Sequence, residues 1–176
     1  KLISKKSQMK VSMGQGQGVI NGTETAENQK INLQVVGNNG LEYAGWKNGT
    51  FMVSVSEEIV KMKINSITVN KEDVSILGYD FYQKNGVNYI RILTKNETPT
   101  GYTITIDCNL TPNPMATTGA KVKAYAENEN CKVYFKSTSD KLDINGNDNT
   151  VESVAYDEMN IGISEPSTFV TGEYIS

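Results

Sequence analysis

The stretch Gly101–Phe135, GYTITIDCNLTPNPMATTGAKVKAYAENENCKVYF, decides the fold class of this chain. Ile104, Ile106 and Cys108 alternate with Thr103, Thr105 and Asp107, the two-residue period of a strand with one buried and one wet face. Pro112 and Pro114 end that strand, because proline has no N–H to give to a ladder. From Lys121 the alternation returns, with Val122, Ala124 and Ala126 on one face and Lys123, Tyr125 and Glu127 on the other. After the polar AENEN tract a third short run, CKVYF, follows. Three such runs split by turn-rich linkers predict consecutive antiparallel strands of a sandwich.

Outward from this stretch the same signal recurs. Ile31, Leu33 and Val35 share a face of the strand Asn28–Val36, which the turn residues of Gly37–Gly40 end. Phe51, Val53 and Val55 form the next strand, and Glu57-Glu58 terminates it. Met62, Ile64, Ile67 and Val69 predict two strand segments with a bulge near Asn65-Ser66. DVSILGYDFY (73–82) and VNYIRIL (87–93) flank Asn85-Gly86, the strongest short-range hairpin signal in the chain. SEEIVKMKI (56–64) opens like a helix but lies between β-branched runs and is read as strand. Gly14, Gly16 and Gly18 are read as a loop: GQGQG lacks the third glycine of a dinucleotide fingerprint, and no helix follows. Strands near residues 8, 30, 50, 62, 74, 87, 102, 120, 131 and 151 predict an all-β antiparallel sandwich of about ten strands. Residues 1–164 are expected to form one domain, with 165–176 a linker or the start of a following module, since FVTGEYIS resumes a strand-like pattern.

Composition narrows the function classes. Of 176 residues, 17 are Lys or Arg and 20 are Asp or Glu, a net charge of -3 without long runs of either sign. Arg91 is the only arginine. Both facts argue against nucleic acid as a partner. No window approaches the length of an apolar membrane span, so no membrane insertion is expected. The chain has no histidine, which removes Ser-His and Cys-His catalysis and any histidine metal ligand. Glu57, Glu58, Asp73 and Asp80 are candidate acid–base carboxylates, but their spacing does not pair them. No enzyme activity is expected. A polar chain rich in Asn, Thr, Gly and Lys predicts export from a Gram-positive cell.

FMVSVSEEIVKMKINSITVNKEDV (51–74), YIRILTKNETPTGYTITIDCNLTP (89–112) and AKVKAYAENE (120–129) resemble the β-sandwich modules of Gram-positive cell-surface adhesins, the MSCRAMM-like and repeat-module class. The resemblance covers residues 51–129. It implies an immunoglobulin-like fold, attachment to the cell wall through other parts of the polypeptide, and a role in binding a ligand or spacing a binding tip from the cell. It also implies a candidate internal isopeptide bond. There a buried, neutral lysine attacks an asparagine amide beside a carboxylic acid, and Lys10, Asp107 and Asn128 or Asn130 have the residue types required.

Other candidate sites follow from the residues themselves. Cys108 and Cys131 are an even pair in an exported chain and predict a disulfide, with buried small residues or a thioester as the alternatives. Asp143, Asn145, Asn147 and Asn149, with Asp140 or Glu152, space oxygen ligands as a calcium loop does. Asp148 and Val154 break the EF-hand pattern, and a plain turn is the competing reading. Calcium is the sole cofactor candidate. Trp46 is read either as a core plug or as a sugar-stacking platform, and Tyr79, Phe81, Tyr82 and Tyr89 either as cross-strand pairs or as a shallow ligand surface. Sequons at Asn21, Asn48, Asn96 and Asn109 are no more than an Asn- and Thr-rich chain produces by chance. The expected function is a non-catalytic, extracellular, cell-wall-attached adhesin module. Its expected partners are a host or cell-surface macromolecule or glycan and the neighbouring modules of the same polypeptide, with the module itself a monomer. The alternative is a carbohydrate-binding module attached to a secreted enzyme.

Overall fold

The computed structural model describes residues 9–36, 46–127, 133–135, 142–144 and 155–164. Twelve strands follow in chain order: β1 Met9–Met13, β2 Val19–Asn21, β3 Ala26–Val35, β4 Thr50–Val55, β5 Ile59–Val69, β6 Ser75–Lys84, β7 Val87–Lys95, β8 Tyr102–Pro112, β9 Ala120–Glu127, β10 Val133–Phe135, β11 Leu142–Ile144 and β12 Tyr156–Ser164. No helix occurs among the described residues, so none there is long and apolar enough to cross a membrane. Ten strands make two sheets, a four-stranded one in the order β1-β3-β8-β5 and a six-stranded one in the order β2-β12-β9-β4-β7-β6. β10 and β11 pair with each other. The expected all-β sandwich of about ten strands is thus the observed fold, with one parallel pair, β2 with β12.

The period of two builds the core. Along β8 every second residue from Tyr102 to Pro112 is buried, and β4 and β7 alternate as strictly. Ile31 and Leu33 of β3 and Ile104, Ile106 and Leu110 of β8 line one wall. Phe51 and Val53 of β4, Ile90 and Ile92 of β7, and Val122 and Ala124 of β9 line the other. Burying each such Ile, Leu or Phe contributes about 1.5–3 kcal/mol relative to leaving it in water.

Several local expectations appear where the sequence put them. β5 shifts register between Ile64 and Ser66, the expected bulge. Asn85 (φ 54°) and Gly86 (φ 83°) close the β6–β7 hairpin. Residues 56–64 hold a turn and the start of β5, as read. The Gly14–Gly18 run is the loop that carries the chain from β1 in one sheet to β2 in the other. One pairing differs: β8 and β9 lie in different sheets, because the proline-bearing linker after β8 crosses the sandwich instead of closing a hairpin. β8 pairs with β3 and β5, while β9 pairs with β4 and β12.

Candidate functional site

The outer face of the six-stranded sheet is built by the residues that alternate with the core. Tyr82 of β6 stands opposite Tyr89 of β7, and Asp80 opposite Arg91. The rows continue across β4 as Tyr89–Ser54, Arg91–Met52 and Leu93–Thr50, and then across β9 as Ser54–Lys123, Met52–Tyr125 and Thr50–Glu127. β12 extends them with Tyr125–Tyr156 and Lys123–Glu158. Since the intervening Ile90, Ile92, Phe51 and Val53 are fully buried, these side chains point away from the core.

The face has an aromatic and aliphatic centre. Tyr82 and Tyr89 stack with ring centroids 5.2 Å apart and planes 18° from parallel. Burial pushes the Tyr125 phenol up, and the charges of Tyr82, Glu127 and Tyr89 add to the shift. β6 slips register between Ile76 and Gly78, leaving Leu77 as an extra residue beside the Gly78–Leu93 pair, and Leu77 and Leu93 are both exposed. Charges frame this centre: Asp80 Oδ2 accepts from Arg91 Nη2 at 3.1 Å, and Lys121 Nζ lies 3.9 Å from Glu158 Oε1. A flat patch of Tyr, Met and Leu with Arg beside it has the composition of a protein-docking surface. Clefts elsewhere, one lined by Thr23, Thr25, Thr111 and Pro114 and one by Ser56, Glu58, Lys121 and Asn160, include none of these tyrosines.

The expected aromatic cluster therefore divides. Tyr82 and Tyr89 share the outer face, whereas Tyr79 and Phe81 pair with Ile92 and Ile90 and lie toward the inner side of an edge strand. Trp46 is no platform, because it is fully buried, with its ring centroid 5.7 Å from that of Phe51. Its place is held by polar groups around it. Asn96 Nδ2 donates to the Trp46 and Thr98 carbonyls at 2.7 and 2.6 Å. Asn48 and Asn96 each donate a backbone N–H to the other's Oδ1, at 2.8 and 2.9 Å. Thr94 Oγ1 lies 3.0 Å from the Tyr102 hydroxyl and accepts from the Gly49 N–H at 2.9 Å. With its Nδ2 buried and spoken for, Asn96 is closed to glycosylation.

Among the described residues the remaining candidates are not brought together. Cys108 is a free, buried thiol whose Sγ donates to the Gln29 carbonyl at 3.6 Å, and burial raises its pKa to about 12. Cys131 lies outside the described residues, so the expected bridge is not among the described contacts. Lys10 is exposed on β1, which leaves it without the burial that isopeptide chemistry needs. Asp107 sits on the outer face of the other sheet. It accepts from Asn65 Nδ2 at 3.1 Å and Lys30 Nζ at 2.9 Å, and these partners hold its carboxyl below the usual range. Asn128 and Asn130 lie outside the described residues. Asp143 pairs with Tyr134 in the β10–β11 ribbon, and Asn145, Asn147, Asn149, Asp140 and Glu152 lie outside the described residues. Among the described residues no group of three or more Cys, Asp or Glu side chains is arranged to hold a metal ion.

Sequence reasoning missed Met52, Tyr125, Leu77 and Leu93. The available signal was a large apolar residue in the wet phase of an alternating strand, Met52 between Phe51 and Val53 and Tyr125 between Ala124 and Ala126.

No protein-family model matches the chain, and no curated protein is significantly similar to it in sequence. Solved structures do match. A cohesin module from a family 33 glycoside hydrolase of Clostridium perfringens ATCC13124 aligns with TM-score 0.50 and 13% identity over 92% of this chain and 98% of that one. A non-cellulosomal cohesin from Archaeoglobus fulgidus aligns with TM-score 0.41 and 8% identity, over 97% and 99% of the two chains. The sixth cohesin of Acetivibrio cellulolyticus scaffoldin B, solved in complex with a Cel5 dockerin, aligns with TM-score 0.40 and 10% identity, over 92% and 99%. The chain is a β-sandwich whose fold is similar to that of the Clostridium perfringens cohesin module.

Proposed function

We propose that this chain is a non-catalytic docking module of an exported bacterial protein, and that the outer face of its six-stranded sheet receives a protein partner. One observation carries the reading: a stacked Tyr82–Tyr89 pair beside Tyr125 and the exposed Leu77 and Leu93, on the outer face of the six-stranded sheet. Tyrosine suits the role, since a rigid ring buries large area at little entropic cost and keeps a hydroxyl for the partner. Asp80, Arg91 and Lys123 would set orientation from within and around the patch. The histidine-free composition supports a role without acid–base chemistry. In its finer form the reading places the module in a cell-wall-attached adhesin that engages a host or cell-surface protein, supported by the adhesin-like segments of residues 51–129.

The test is capture by the immobilised chain from secreted and surface proteins of the source bacterium and from host matrix proteins, beside a glycan array. A protein retained by the wild-type chain and lost by Tyr82→Ala/Tyr89→Ala supports the reading. Glycan binding, with no protein whose capture depends on this face, would overturn it in favour of a carbohydrate-binding module.

A further inference from the structure

β6 is the outermost strand of its sheet, and among the described residues no strand pairs with its far edge. It runs for ten residues, with Leu77, Tyr79, Phe81 and Tyr82 exposed at 61, 46, 37 and 44%. A long apolar edge of this kind templates the addition of another strand unless charges, prolines or bulges blunt it. Its single bulge, at Leu77, leaves Gly78–Lys84 regular.

The hairpin turn fixes which backbone groups are free. Positive φ at both Asn85 and Gly86 makes a two-residue type I′ turn, so Lys84 and Val87 exchange both backbone hydrogen bonds. By alternation Tyr82 and Asp80 also direct their N–H and C=O groups at β7. Tyr79, Phe81 and Gln83 then direct theirs to the open edge.

We propose that a second copy of this chain adds to that edge, β6 antiparallel to β6 about a two-fold axis at Tyr82, so that the two six-stranded sheets become one. Charge selects this register. An axis at Asp80 sets Asp80 opposite its own copy, and an axis at Phe81 leaves Asp80 and Lys84 opposite uncharged residues. The axis at Tyr82 sets Asp80 opposite Lys84 of the second copy, twice by symmetry. Asp80 then lies between Arg91 of its own chain and the incoming lysine. On the same face the Tyr89–Tyr82 stack meets its copy, giving a row of four tyrosines, while Phe81 and Gln83 supply the shared backbone bonds. Tyr82 opposes Tyr82 in a pair not joined by backbone bonds, where side chains approach most closely. This inference stands apart from the docking face, which remains open in the joined sheet, and it is tested with no other protein present.

Sedimentation velocity of the full chain from micromolar to millimolar concentration reads it directly. The expected result is a concentration-dependent dimer that Lys84→Glu weakens about tenfold by setting like charges opposite each other, with the melting temperature of the dilute monomer unchanged. In a Cys131→Ser background, Tyr82→Cys is expected to crosslink into a covalent dimer under mild oxidation, whereas Ser75→Cys, outside the overlap, is not. A chain that stays monomeric to millimolar concentration would overturn the proposal. So would a dimer indifferent to Lys84→Glu that fails to crosslink through residue 82.

Discussion

Asn96 ties two chain segments together from one buried position, 46–48 through Asn48 and Trp46 and its own through Thr98. Asn96→Ala would strand the Asn48 N–H and two carbonyls, so a loss of about 3 kcal/mol is expected in urea unfolding. In the sequence this residue is legible only as a sequon. Nothing marks its reciprocal pairing with Asn48, because the contact depends on how the loop before β8 folds back. Trp46 was legible as a core candidate, and its burial agrees, but one tryptophan beside a turn also fits a platform until the fold shows what surrounds it. Among the described residues its indole Nε1 has no hydrogen-bond partner. Trp46→Phe removes that unsatisfied N–H along with some volume and should cost under about 1.5 kcal/mol, while Trp46→Ala should cost about 3–5 kcal/mol. Equal losses in thermal unfolding would contradict the packing described. The Cys108 thiol and the Tyr102 hydroxyl, whose ordinary values are 9.0 and 10.0, are both raised to about 12, by burial above all. Between those values the unfolded chain releases protons that the native state keeps. Stability should therefore be full below about pH 9 and fall as the pH rises toward about 12, which unfolding midpoints across that range can check.

Among the elements, the β6–β7 hairpin was the most legible, since Asn-Gly between alternating runs dictates a two-residue turn. The β5 bulge was legible at Asn65-Ser66. Its counterpart in β3, between Ala26 and Gln29, was not, although both flank β8 at Cys108. It depends on Asn28 at φ 54° with its N–H on Asn109 Oδ1, a contact 81 residues away in sequence. β2 also escaped notice, being three residues long and paired in parallel with the distant β12. Gly119 shows how tightly β12 is seated: a Cβ there would run into the Ile161 carbonyl oxygen. Gly119→Ala is expected to loosen the last strand, read as faster amide exchange along Tyr156–Ser164 than along β8. Equal exchange in variant and wild type would show that the chain relaxes around the methyl group.

For the whole molecule, alternation announced a sandwich, but which strands share a sheet was hidden. Period-two patterns state that a face is buried and not against what, so β8 and β9 read as neighbours although they lie in opposite sheets. The same blindness scattered the candidate site. Tyr82 and Tyr89 were visible within one hairpin, but joining them to Tyr125 required the β9-β4-β7 order, which no local pattern encodes. The account rests on that assembled face being where a protein binds. The most direct measurement is calorimetric titration of the captured partner into the wild-type chain, Tyr89→Ala, Tyr125→Ala and, on the opposite sheet, Lys30→Ala. The expected result is at least about a 30-fold loss of affinity for one or both tyrosine variants, the effect of removing a central aromatic anchor, and no change for Lys30→Ala. Undiminished affinity in both tyrosine variants, or a loss confined to Lys30→Ala, would contradict it.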